Sequence, residues 1–201
     1  MPLNKTKGHM YDWVDYTWNP IKGKCSNNCK YCYVKRFPQK ELRFDERELK
    51  TVFPKGSKVF AGSSCDMFAK QIDRYWIRKI LKYLKKQEDD VTFVFQTKCP
   101  GGYLDYDFPK NSILGTTIES NRGRYLEEGL TGGEHPINRA NNINFAGYLL
   151  KKPTFVTIEP VMDFDKENMA ELLRNANPDF INIGADTGHH NLPEPDAEKL
   201  Q

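Results

Sequence analysis

The sequence predicts an α/β fold built on a parallel sheet of about six strands. Three observations carry that prediction. Short β-branched and aromatic runs alternate with stretches of helical periodicity, the pattern of strand–helix–strand crossovers. Each apolar run ends in polar, charged or small residues, as strands of such sheets do at the face that carries function. The chain has 201 residues, enough for one sizeable domain, but about six strands are too few for a closed eight-stranded barrel. An open partial barrel and a doubly wound sheet both fit that count.

The elements follow in order. A short strand is expected near residues 15–19 (DYTWN). Residues 58–64 (KVFAGSS) form an apolar run ending in small residues. Residues 71–87 place Ile72, Trp76, Ile77, Ile80, Leu81 and Leu84 at helical spacing, with Arg74, Arg78, Lys82 and Lys85 mostly on the other, solvated face. Residues 91–97 (VTFVFQT) read as a buried parallel strand, and 112–119 (SILGTTIE) as another. Residues 135–150 form a weaker helix, with Pro136 suited to a first helical position. Residues 153–160 (PTFVTIEP) are a strand. Residues 165–176 are a helix with Met169, Leu172, Leu173 and Ala176 on one stripe, and 178–184 (PDFINIG) is the last strand. The reading is of one domain over 1–201, with a core of about 15–188 and a tail at 189–201. Neither a solenoid repeat nor a low-complexity tract interrupts it.

Composition narrows the class. Hydrophobic residues make up 38% and charged residues 28%, as in globular domains. No stretch approaches the roughly 20 apolar residues of a membrane span, and the first residues have no apolar signal core. A cytoplasmic, reducing setting is therefore expected. Five cysteines are an odd number, and a disulfide framework is unusual in that compartment. The net charge of +3 alone hardly favours a nucleic-acid partner.

The strand ends supply the candidate chemistry: GSSCD (62–66), QTKCP (96–100), TIESN (117–121), TIEP (157–160) and GADTG (184–188). One rim thus gathers Asp66, Lys98, Glu119, Glu159 and Asp186. Asp66 and Asp186 either cap the elements that follow or reach the site. Glu119 and Glu159, in matching TIE contexts, are read as functional.

Cys25, Cys29 and Cys32 fall in eight positions after the first expected strand, and so lie at the same face. Thiolates this close together usually bind metal. Structural zinc wants four ligands in two separated pairs. Here Cys65 and Cys99 stand alone, and His9, His135, His189 and His190 show no ligand spacing. Iron–sulfur clusters usually take four thiolates. Three would leave one iron of a four-iron cluster open to another ligand, as catalytic metals require. Structural cysteines, or a zinc site completed from afar, are the alternatives.

CSNNCKYC resembles the signature of the radical S-adenosylmethionine (radical SAM) superfamily. The wider set, TWNP, the three cysteines, GSSCDMF, QTK, TIE, TIEP and GADTG, looks like an uncharacterised phage-associated family of radical SAM proteins, itself distantly similar to spore photoproduct lyases. The likeness runs from about Trp18 to Gly188. Cys99 departs from the arginine expected there. The resemblance implies a partial (β/α)6 TIM-like barrel. It implies a [4Fe–4S] cluster on Cys25, Cys29 and Cys32, with S-adenosylmethionine (SAM) chelating the fourth iron and Tyr31 beside the adenine. Gly62, Ser63 and Ser64 would receive the SAM amino group. Lys98 would pair with a carboxylate, Glu119 with a ribose hydroxyl or the SAM ammonium, and Asp66, Glu159 and Asp186 with SAM or substrate. Catalytic roles would fall to Lys98, Glu119 and Glu159. An external reductant such as a flavodoxin or ferredoxin would drive cleavage of SAM to a 5′-deoxyadenosyl radical, which takes hydrogen from a substrate.

The substrate is read as a nucleic acid or nucleotide, with a peptide or small metabolite as the alternative. The polar segment 120–136, with Arg122 and Arg124, is a candidate lid. Tyr11, Trp13, Tyr16 and Trp18 either stack on a base or plug the bottom or open edge of the barrel, the reading preferred here.

Overall fold

The computed structural model describes residues 3–6 and 11–200; His9 lies outside them. Seven strands form one sheet: β1 (Asn4–Lys5), β2 (Tyr16–Trp18), then, after a two-stranded excursion, β5 (Lys58–Ala61), β6 (Thr92–Thr97), β7 (Ser112–Thr117), β8 (Thr154–Ile158) and β9 (Phe180–Ile183). The excursion is closed by β3 (Ile21–Lys22) pairing antiparallel with β4 (Arg43–Phe44). β1 lies antiparallel on β2, and every other neighbouring pair in the large sheet is parallel. The six parallel strands stand in chain order. That order lacks the reversal that defines a doubly wound sheet, so that expected alternative is set aside.

The helices are α1 (Arg74–Leu84), the single turn α2 (Arg124–Glu127), α3 (Pro136–Leu150) and α4 (Lys166–Ala176). Sequence patterning placed the three long ones within three residues of these bounds. Asp73 caps α1, accepting from Tyr75 N at 2.8 Å, which trims the expected start at residue 71. The expected strands 58–64, 112–119 and 153–160 each stop early, because their last residues turn out to build the rim.

Strand alternation sorts side chains to two faces. Val59, Phe93, Phe95, Leu114 and Val156 join Ile77, Ile80 and Leu84 of α1, Ala140 and Ile143 of α3, and Met169 and Leu172 of α4 in one core. Phe60, Val94 and Phe155 point the other way, onto Val14, Tyr11 and Trp13. Tyr11 and Trp13 stack with centroids 5.3 Å apart, and both meet Phe155 edge-on. These aromatics are a plug. Trp18 packs instead in the helix-side core, against Phe53. Above the plug the same face turns polar. Tyr11 OH donates to Gln96 Oε1 and also contacts Thr157 Oγ1, each at 2.7 Å; Gln96 Nε2 donates to Thr117 Oγ1 at 2.7 Å. Burial pushes the Tyr11 hydroxyl up to about 12. The next residues along β6, β7 and β8 on this face are Lys98, Glu119 and Glu159. No helix among the described residues is long and apolar enough to cross a membrane.

Candidate functional site

The rim is built from loops at the strand ends. The cysteine loop leaves β3 and is made of successive turns: Asn28 N donates to Cys25 O at 3.3 Å, Cys32 N to Cys29 O at 3.2 Å, and Lys35 N to Cys32 O at 3.0 Å. Asn28 takes a left-handed φ of 44° between the first two cysteines. Cys29 is buried, Cys25 and Cys32 half-buried, and none is in a disulfide. The thiols act on one another. Burial pushes the Cys32 thiol up, and the neighbouring Cys29 and Cys25 add to it. A hydrogen bond from Cys65, which ends the turn after β5, outweighs burial and brings the Cys25 thiol down to about 6. Cys65 is buried and pushed up by the same bond. Sequence spacing left Cys65 standing alone; the fold seats it against the triplet.

Asp66 ties three segments together. Its Oδ2 accepts from Asn27 Nδ2 of the cysteine loop at 2.7 Å and from Lys98 N at 2.9 Å, and its Oδ1 from Phe68 N at 3.0 Å. Of its two expected roles, it fills that of a cap and latch. Asp186 likewise serves the tail, accepting from His190 N and Nδ1, each at 2.6 Å. Asn19 organises the turn after β5: its Oδ1 accepts from Ser64 N at 2.8 Å, and its Nδ2 lies 3.1 Å from Ser63 Oγ. Tyr33 OH donates to Ser63 O at 3.0 Å.

Tyr31, Lys98 and Glu119 meet. Glu119 is 1% exposed. Its Oε1 accepts from Tyr31 OH, from Lys98 Nζ and from Thr131 Oγ1, the last at 2.8 Å. Lys98 Nζ also donates to Tyr31 OH at 2.7 Å and lies 5.3 Å from its ring centroid. On Oε2, Glu119 accepts from Arg139 Nη1 at 2.8 Å. Burial alone would raise the Glu119 carboxyl; the Lys98 ammonium and Arg139 guanidinium overcome it and hold the group well below the usual carboxylate range. Two cations against one carboxylate leave this buried cluster with a surplus positive charge. Thr131 Oγ1 lies 4.0 Å from Cys29 Sγ, linking the cluster to the thiols.

Arg139 and Thr131 were missed in the sequence. Arg139 is fully buried and clamps the loop before α3, donating to Gly132 O at 2.5 Å, Glu134 O at 2.6 Å and Thr117 O at 2.9 Å. That loop packs on the cysteine loop: Lys30 N donates to Leu130 O at 3.0 Å, and a Cβ on Gly132 would overlap Asn27 O. The expected lid thus packs on the cysteine loop through Leu130 and Gly132. Arg122 pairs with Asp163 and Asp165, and Arg124 sits 5.2 Å from the Tyr125 ring, itself buried. Glu159 is exposed on the same face, against Gly184.

Three thiols on one loop suit an iron–sulfur cluster. No three His, Cys, Asp or Glu among the described residues are gathered tightly enough to hold a single metal ion. A four-iron cluster takes one thiolate per iron, so its ligands surround a cube rather than converge on one ion.

The fold is shared with known structures. A cysteine-to-serine mutant of spore photoproduct lyase superposes with a TM-score of 0.59 at 16% identity, over 87% of this chain and 55% of that one. A cysteine-to-alanine mutant with dinucleoside spore photoproduct gives 0.58 at 16% identity, over 84% and 54%. The chain thus spans about half the length of these structures. No curated protein matches it. Residues 9–128 match the family described as "Protein of unknown function (DUF5131)", more than half of the chain, and the chain belongs to that family.

Proposed function

We propose that this protein is a radical SAM enzyme on a partial (β/α)6 barrel, working in a reducing cytoplasm. One observation carries the reading: three free thiols lie on one loop at the strand-end rim, and Cys29 borders Thr131 of the buried cluster that holds Lys98, Glu119 and Arg139. The likeness in fold to spore photoproduct lyase supports it, as does the resemblance of the CSNNCKYC segment to the radical SAM signature. Cys25, Cys29 and Cys32 would hold a [4Fe–4S] cluster. When bound, cluster and SAM supply a one-electron cleavage of the sulfonium that yields a hydrogen-abstracting 5′-deoxyadenosyl radical.

The chain's own residues bind, orient and exclude water. Cys25 is held toward the thiolate by Cys65, which favours metal ligation. Lys98, the most accessible member of its cluster at 12% side-chain exposure, is the group to meet a carboxylate of SAM or of substrate. On this reading Tyr31 and the turn Gly62–Ser64 would contact SAM, and Glu159 would meet SAM or substrate, whereas Asp186 is taken up by the tail. Glu119 acts through Lys98 and Tyr31, since both its oxygens are taken. A flavodoxin or ferredoxin would supply the electron. The substrate favoured is a nucleic acid or nucleotide.

The test is anaerobic. Protein reconstituted with iron and sulfide, then given dithionite and SAM, should release 5′-deoxyadenosine. Cys29→Ala should abolish both cluster and product. A colourless protein holding stoichiometric zinc would sink the reading.

A further inference from the structure

The whole chain carries +3, yet its charge is unevenly placed. Residues 23–44 hold Lys24, Lys30, Lys35, Arg36, Lys40 and Arg43 against Glu41 alone, a net of +5, so the remaining residues sum to −2. These residues are one excursion of the fold. β3 and β4 close its base, with Lys22 opposite Arg43, and Lys24 N donates to Lys40 O at 3.0 Å across it. The three cysteines sit in its first half, so the cations share one loop with the candidate metal ligands.

All six cations are exposed, and among the described residues none of them forms an ion pair. Elsewhere Lys55, Arg74 and Lys110 pair with acids, while exposed cations such as Lys58, Lys70, Arg78 and Lys166 form no ion pair among the described residues; what sets this loop apart is that its cations are concentrated against one acid. Lys30 and Lys35 spend themselves on backbone carbonyls, at 3.3 and 2.9 Å. Lys24, Arg36, Lys40 and Arg43 are left facing solvent. The same segment carries two uncovered rings, Phe37 at 62% exposure and Tyr33 at 49%, the latter anchored to the turn after β5 by its hydroxyl.

We infer that this face, Lys24, Arg36, Lys40 and Arg43 with the rings of Phe37 and Tyr33, is a docking surface for single-stranded nucleic acid. Concentrated unpaired cations recruit a polyanion, and exposed aromatic faces on the same segment stack on unpaired bases. An anionic membrane would call for a broader apolar face than two rings, and an acidic peptide offers little to stack on them. The inference rests on the proposed function for the position of the reacting centre, and gives that centre its substrate class. It moves the nucleic-acid contacts away from Arg122, which pairs with two aspartates, and from Tyr11 and Trp13, which plug the fold.

The experiment is fluorescence anisotropy of the reconstituted protein with a labelled oligothymidylate of about 20 nucleotides, across a salt series. The wild type should bind, weakening steeply with salt. The variant Arg36→Gln/Lys40→Gln/Arg43→Gln should bind at least about tenfold more weakly, and its slope of log affinity against log salt should be shallower by about 2, near 0.7 per lost phosphate contact. Phe37→Ala should lose about tenfold with the slope unchanged. SAM binding and 5′-deoxyadenosine formation should stay at the wild-type level in both. Wild-type affinity in the triple variant overturns the inference. So does capture by phosphatidylserine vesicles without oligonucleotide binding, and so does heparin binding of equal strength with Phe37→Ala silent. Oligonucleotide binding that follows these side chains without any SAM cleavage would keep the surface and discard the radical reading. The opposite pattern would keep the reading and discard the surface.

Discussion

Arg139 and Glu119 form a fully buried ion pair, Nη1 to Oε2 at 2.8 Å, on a carboxylate whose other oxygen already carries the Lys98 ammonium. Three donors crowd Oε1 alone, more than its lone pairs accommodate well. Arg139 is locked by three backbone carbonyls besides. Lys98 is the member able to leave, because Arg139 keeps Glu119 compensated when it does.

Arg139→Met should therefore trap Lys98 on Glu119. Breaking a buried pair from one side costs on the order of 3–5 kcal/mol, so the urea midpoint should fall markedly. SAM affinity should fall as well, while a decarboxylated SAM analogue should bind much as before. Arg139→Lys restores a cation and should recover part of the SAM affinity, where Arg139→Gln should not. Calorimetric binding to the four proteins decides it. Equal losses for Gln and Lys would assign Arg139 a purely structural part.

Glu119→Gln should alter stability in a pH-dependent way. The folded carboxyl lies well below its ordinary range. A depressed carboxyl contributes stability that is complete above the unfolded value, about 4.3, and is lost as pH falls through the folded value. The wild type should thus lose stability as pH drops below about 4. The Gln variant should be weaker at neutral pH, with two buried cations uncompensated, and its pH profile flatter on the acid side. Urea midpoints along a pH series check both arms. Parallel profiles would mean that other carboxyls govern acid unfolding.

Much of this was legible in the sequence, for physical reasons. Short β-branched and aromatic runs such as TFVFQT favour strands buried on both faces, and Ile77, Ile80, Leu81 and Leu84 recur at a spacing only a helix puts on one side. The rim followed because polar residues end each run. What escaped was tertiary. The pairs β1, β3 and β4 are two residues long and carry no periodicity. Arg122 finds its acids some forty residues away. Arg139 did leave a trace: it lies four residues before Ile143 and seven before Ala146, a cation on the apolar stripe of α3. A charge on such a stripe needs a buried partner, and Glu119 was the candidate at hand. Cys65 had no local sign, since its partner Cys25 comes from another loop.

In the reduced, metal-free protein, the influence of Cys65 on Cys25 should set which thiol reacts first. Cys25 is brought down to about 6, so it should be alkylated by iodoacetamide from slightly acid pH upward, ahead of Cys32, whose thiol is pushed up. Cys65→Ala removes the donor and should move the Cys25 midpoint upward toward the ordinary thiol value of about 8.5. Peptide mass spectrometry across pH reads each site separately. A Cys25 midpoint unmoved by Cys65→Ala would assign the shift to another neighbour.

Gly62 tests whether the turn after β5 is as tightly specified as its neighbours suggest. Its φ of +90° is one that side chains rarely adopt, and an added Cβ would sit 2.7 Å from Met67 Cγ, 2.9 Å from Met67 Sδ and 3.2 Å from Cys65 O. Met67 is buried and has little room to retreat. Backbone strain of this kind costs on the order of 1–3 kcal/mol, and relief requires the turn to shift. A shift displaces Ser63 and Ser64 from Asn19 and carries Cys65 away from Cys25. Gly62→Ala should therefore lower the melting midpoint, and should also lower iron content after reconstitution and raise the Cys25 midpoint. A destabilised variant with full iron and an unmoved Cys25 would mean that the strain is absorbed by Met67 and never reaches the thiols.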